Sequence, residues 1–142
     1  MMDKRNKQFI LRWSFVVANM LLIYMFSSQN GVESGELSGF VSAFIEKIPI
    51  VRAGGRLINI RKLAHFSIYL LLGLLTVRAV MLHSDKKSFQ IVAALLICFL
   101  YACSDEFHQS LVPGRGPSFR DVMIDTAGAL MGVLIVMRCN HQ

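Results

Sequence analysis

Residues 63–82 read LAHFSIYLLLGLLTVRAVML, a run in which only His65 and Arg78 carry groups charged or titrating near neutral pH. A helix crossing the hydrocarbon core of a bilayer needs about 20 mostly apolar residues, and about 17 still suffice. This run therefore reads as a transmembrane helix, and three other stretches read the same way: 9–26, 89–109 with a wet end beyond Cys103, and 119–137. The expected fold is an all-α, polytopic integral membrane protein with four transmembrane helices.

The rest of the composition agrees. At 54% hydrophobic residues and a mean hydropathy of +0.52, the 142-residue chain is greasier than an ordinary soluble domain. Four spans leave no room for a second domain, so residues 1–142 are expected to form a single membrane domain. The first span begins as a secretory signal would, with Lys4, Arg5 and Lys7 before an apolar run. That run continues to Phe26 and is followed by Ser27-Ser28-Gln29-Asn30 rather than a small-residue cleavage site, so it reads as an uncleaved anchor.

A net charge of +6 would suggest nucleic acid in a soluble protein. Here the basic residues sit at span ends and in loops, where topology and anionic lipid account for them better, so no nucleic acid is expected. Lys4, Arg5, Lys7, Arg12, Arg78, Lys86, Lys87 and Arg138 place both termini in the cytoplasm by the positive-inside rule. The opposite segments, 27–62 and 104–120, carry seven basic residues against those eight, but several belong to the candidate site below. The three cysteines, Cys98, Cys103 and Cys139, have neither metal spacing nor an even count, and read as small apolar fillers.

Between the first two spans, Leu37, Phe40, Val41, Phe44, Ile45 and Ile48 recur with helical period, while Ser38, Ser42 and Glu46 take the other face. The pattern predicts an amphipathic helix over 35–48, capped by Ser34, stopped by Pro49 and lying in the outer interface. A basic stretch follows with Arg52, Arg56, Arg61 and Lys62. Arginine's planar fork suits phosphate oxygens, and nonspecific attraction to anionic lipid is the competing reading.

Projection at about 100° per residue gathers the polar residues into stripes. Lys62, His65, Tyr69 and Gly73 share one face of the second span. Tyr101, Asp105 and His108 share a face of the third, with Gln109 beside it and Glu106 further round, and Pro113-Gly114 ends that helix. Ser118, Asp121, Asp125, Gly128 and Gly132 share a face of the fourth, with Gly128-x-x-x-Gly132 reading as a close helix contact. Carboxylates at a membrane boundary must be paired, protonated or metal-bound. Asp121 and Asp125 are accordingly expected to face the stripe of Asp105 and His108, with Arg115, Arg120, Arg61, Lys62 and His65 as available cations.

Four chemistries fit these residues. His108, held by Asp105, could carry a proton while Arg115 stabilises an anion. Asp105, Glu106, His108, Asp121 and Asp125 offer ligands for a divalent metal, although their spacing matches no standard signature, so a metal cofactor is not the favoured reading. The charges could instead form a recognition pocket for a phosphate-bearing or peptidic headgroup, or an ion-pair network that locks the bundle. No P-loop, serine-nucleophile elbow or zincin helix is present.

Ser27-Ser28-Gln29, then Arg61-Lys62-x-x-His65-Phe66-x-x-Tyr69 with Gly73, then Asp105-Glu106-x-His108-Gln109-x-x-Val112-Pro113-Gly114-Arg115-x-x-Ser118-x-x-Asp121-Val122-x-x-Asp125-x-x-Gly128 resemble the VanZ-like family over nearly the whole chain. Leu111 stands where relatives often carry phenylalanine. The resemblance implies a small bacterial protein of the cytoplasmic membrane, in a family named for an accessory protein of glycopeptide resistance that lowers teicoplanin susceptibility. It implies no established reaction.

Taken together, the expected function is binding of a phosphate-bearing envelope lipid or cell-wall precursor at the outer face. Arg61, Lys62 and Arg115 would meet an anionic or polyprenyl-linked headgroup, with Tyr69, Glu106, Gln109 and Ser118 lining the site. His65 and His108 would carry protons or donate hydrogen bonds, oriented by Asp105, Asp121 and Asp125. A membrane-embedded hydrolase or transferase using the same residues, or a scaffold for another envelope protein, is the alternative.

Overall fold

The computed structural model describes residues 3–28, 60–114, 116 and 118–140, with residues 60 and 61 by backbone alone. Four helices make up the described residues: α1 Lys4–Ser27, α2 Ile60–Val80, α3 Lys87–Ser110 and α4 Phe119–Cys139. All four are long and apolar enough to cross a membrane, which makes the chain a multi-pass membrane protein. The expected interfacial helix over 35–48, with Ser34 and Pro49, lies outside the described residues, as do Arg52, Arg56, Arg115 and the side chain of Arg61.

The helix ends differ from the hydropathy reading by a few residues. α1 starts at Lys4 rather than Phe9, because long basic side chains are good helix formers that hold their charge in water while their stems stay on the helix. α4 likewise runs to Cys139, past Arg138. α2 stops at Val80, two residues early, where the His83 and Leu82 amides fold back onto the Val80 and Ala79 carbonyls. After α3 the Leu111 and Val112 amides return to His108 and Gln109, and Gly114 takes φ 78°. That left-handed value favours glycine, so the Pro113-Gly114 turn forms where expected.

The distribution of apolar side chains is that of a bundle in lipid. Phe9, Ile10, Phe15, Leu21, Leu96 and Leu134 are among many large apolar residues that are exposed. The faces turned inward are narrower and more polar. On α1 they are Val16, Asn19, Ile23 and Ser27, one residue per turn. On α3 the small residues Ala94, Cys98 and Ala102 repeat every four positions and let neighbours approach. Of the cysteines, only Cys98 is a buried filler; Cys103 is half-buried and Cys139 is exposed, because it falls at the end of α4 beyond the packed core.

α2 and α4 run parallel and form the tightest pair. A Cβ at Gly73 would lie 2.9 Å from the Ala129 Cα, one at Gly132 would lie 2.9 Å from the Leu74 nitrogen, and one at Gly128 3.1 Å from the Phe66 carbonyl carbon. Backbone meets backbone, so the Gly128-x-x-x-Gly132 reading holds, and Gly73 completes it from the facing helix. At one end of the bundle, Arg12 Nη1 donates to the Arg78 carbonyl at 2.6 Å, and Phe9 and Trp13 pack on His83. The other end, where α1 and α3 finish and α2 and α4 begin, holds the polar residues.

Candidate functional site

The close approach of α2 and α4 sets the site by fixing the register of two stripes. Residues three or four apart on a helix stand above one another, so Lys62 and His65 on α2 meet Asp121 and Asp125 on α4 in two successive rungs. Lys62 Nζ lies 2.8 Å from Asp121 Oδ1, in an outer rung where each side chain is about one third exposed. One turn deeper, His65 Nδ1 lies 3.6 Å from Asp125 Oδ1, with the Asp125 side chain only 2% exposed. The fully buried Tyr69 is the next step of the α2 stripe, its ring centroid 6.4 Å from that of Tyr101.

α3 adds the third wall. Asp105, Glu106 and Gln109 are all buried. Gln109 Nε2 donates to Asp105 Oδ2 at 3.0 Å and to Ser27 Oγ at 3.2 Å, which ties the carboxylate to the end of α1. Glu106 Oε1 accepts the backbone N–H of Ser118, the residue that precedes α4. An N-terminal amide has no partner in its own helix, and Ser118 makes no side-chain cap, so a carboxylate from α3 serves this helix start instead. Glu106 therefore anchors the connection between α3 and α4 from inside the bundle, rather than pointing away from it.

One expectation changes, and a neighbour on the same stripe shows why. His108 was expected to be held by Asp105 and to face Asp121 and Asp125; instead its ring stacks on Tyr24 at 4.5 Å and its Nε2 lies 3.1 Å from Ser28 Oγ. Tyr101, on the same stripe, donates its hydroxyl to the Met20 carbonyl at 2.6 Å. Both follow from one cause: the α3 stripe is wide enough to touch two neighbours, and α1 takes its edge. Asp105 alone of that stripe reaches the α2–α4 rungs. One ligand atom each from His65, Asp105 and Asp125 lie within 4.8 Å of one another.

The structure thus brings together Lys62, His65, Tyr69, Asp105, Asp121 and Asp125, with Gln109, Glu106 and Ser118 as supports, and turns His108 toward α1. Arg120 is exposed on α4 beside the outer rung. The contribution of α1 through Ser27 and Ser28 shows in the sequence as a polar pair that closes an apolar run and opens the family resemblance. Nothing in that pair pointed to Gln109 or His108 as partners.

Chemically the site has two levels. The outer rung is half-wet and carries a cation able to exchange its carboxylate partner for another anion. The inner level is nearly dry and acid-rich, with an imidazole between two aspartates, and offers one nitrogen and several oxygens to a cation. A family model described as VanZ/LLP1 matches residues 12–140. No curated protein and no solved structure matches the chain.

Proposed function

The chain belongs to the VanZ/LLP1 family, and from this premise and the two-level site we propose that it binds the phosphate-bearing headgroup of an envelope lipid or cell-wall precursor. The observation that carries the reading is the Lys62–Asp121 rung, a partly exposed ion pair in a bundle otherwise surrounded by apolar side chains. An exposed pair of this kind adds little to stability, so its ammonium can pass to a phosphate at small cost. Arg120 on α4 adds a second exposed cation at this end of the bundle. Below the outer rung the bundle interior is closely packed, so the headgroup stays at the surface while its chain lies along the exposed apolar faces.

In this reading the protein sits in a bacterial cytoplasmic membrane with both termini inside, so the site opens outward, where glycopeptides meet their precursors. Lowered teicoplanin susceptibility is then a consequence of occupying or shielding such a precursor. A second reading, a hydrolase or transferase, draws on the His65–Asp125 rung, which would supply a proton carrier directly beneath the bound phosphate.

Native mass spectrometry of the detergent-purified protein and of a Lys62→Gln variant tests the binding reading. The wild type should carry phosphate-bearing lipid enriched over its share of the bulk membrane, and the variant should lose that enrichment. Lipid in bulk proportions on both proteins would reject the reading. Binding that survives His65→Gln while the phosphate ester is turned over only by the wild type would favour the enzyme.

A further inference from the structure

The inner level of the site has more acid than the described residues around it balance. Asp105, Glu106 and Asp125 are all buried, and among the described residues the other cationic side chains at this end are Lys62, already bonded to Asp121, and the exposed Arg120. With both carboxyls ionised, even a protonated His65 leaves the Asp105–Asp125 pair with a negative charge, and an unpaired charge in a low-dielectric interior is very costly. Glu106 is engaged by the Ser118 amide. Asp125 Oδ1 and His65 Nδ1 are buried atoms that no hydrogen bond reaches, their mutual distance of 3.6 Å being an ion-pair separation only. The Tyr69 hydroxyl, wholly buried beside Asp105, also lacks a hydrogen bond of good geometry. The unbonded pair of Asp125 Oδ1 and His65 Nδ1 thus belongs to two side chains whose ligand atoms lie within 4.8 Å of one from Asp105.

We infer that His65, Asp105 and Asp125 hold one divalent first-row metal ion, Mn²⁺ or Zn²⁺, inside the bundle. Two carboxylates and one neutral imidazole cancel a 2+ charge, so occupancy removes the imbalance without a protonation event. Mixed oxygen and nitrogen donors suit these ions, whereas Mg²⁺ and Ca²⁺ favour oxygen alone. Tetrahedral ligands bound at about 2.1 Å stand about 3.4 Å apart. Donor atoms within 4.8 Å of one another therefore close on an ion by side-chain shifts of no more than about 0.8 Å each. Gln109, donating to Asp105 and to Ser27, fixes the orientation of one carboxylate ligand, as the groups behind metal ligands do. Three protein ligands leave positions for water, and the outer Lys62–Asp121 rung lies one turn away, nearer the helix ends.

This site stands independently of the headgroup reading, because the measurement uses metal alone. The full chain, purified in detergent and stripped with chelator, is titrated with Mn²⁺ followed by electron paramagnetic resonance, and with Zn²⁺ followed by elemental analysis. One ion per chain is expected, with affinity at least tenfold weaker in Asp125→Asn and in Asp105→Asn, and unchanged in His108→Gln, whose ring stacks on α1. His65→Cys should turn preference from Mn²⁺ toward Zn²⁺, since thiolate is a softer ligand, and a purely structural histidine predicts no such turn. Wild-type protein that folds but binds neither ion at stoichiometry overturns the inference. So does Asp125→Asn binding like the wild type; if that variant does not fold, the His65→Cys preference decides, and no change in preference counts against the site.

Discussion

Gly128→Ala and Gly132→Ala should each destabilise the protein and open the candidate site, because the α2–α4 contact leaves no space for a methyl group. A Cβ at Gly132 would stand 2.9 Å from the Leu74 nitrogen and closer still to the Leu70 carbonyl oxygen. Ordinary contact needs about 3.5 Å, so the helices must part by at least roughly 0.6 Å. These neighbours are backbone atoms of a helix and cannot rotate away. Overpacking of this kind costs about 1–3 kcal/mol. The separation falls about two turns from the His65–Asp125 rung at Gly132 and within one turn at Gly128, and it lengthens a rung already at 3.6 Å. Thermal unfolding in detergent measures the effect, with Gly116→Ala as control, since nothing lies within 4 Å of a Cβ there. The control should stay within about 0.5 kcal/mol of wild type. Gly132→Ala melting with the wild type would refute the reasoning, as it would mean that α2 and α4 do not touch.

Three further outcomes follow from individual bonds. Gln109→Ala should cost about 1–3 kcal/mol in the same melt, because Asp105 Oδ2 is left buried without its donor; an unchanged melt would show that another group holds that carboxylate. Tyr101→Phe removes the 2.6 Å bond to the Met20 carbonyl and should cost about 0.5–1.5 kcal/mol, a loss that Tyr24→Phe should not reproduce. Cys139 is exposed while Cys98 is buried and Cys103 half-buried, so in a Cys103→Ser background a membrane-impermeant maleimide should label Cys139 only after cells are permeabilised if the C-terminus is cytoplasmic; labelling of intact cells would reverse the orientation.

The parts of this architecture governed by a single helix were legible in the sequence. Four apolar runs gave the spans, and the 3.6-residue period put Lys62 with His65 and Asp121 with Asp125. Glycines on both stripes marked the faces that meet, and that meeting pairs the rungs. What depended on the rotation of one helix against two others was not legible. His108 shares a stripe with Asp105, yet the stripe's edge rests on α1, and a stacking contact with Tyr24 decides where the imidazole goes. Glu106 sits a quarter turn from Asp105, and only the position of the α4 start explains why it is buried. The three-residue convergence of His65, Asp105 and Asp125 spans three helices, its successive members 40 and 20 positions apart. No local spacing announces such a set.

The central claim is that the outer rung takes a phosphate. Its most direct test is binding of a short polyprenyl phosphate, beside the corresponding polyprenyl alcohol, to wild-type and Lys62→Gln protein in nanodiscs of neutral lipid. The account predicts that the wild type binds the phosphate at least tenfold tighter than the alcohol, and that Lys62→Gln folds normally but loses most of the difference. Equal binding of phosphate and alcohol by the wild type would contradict it.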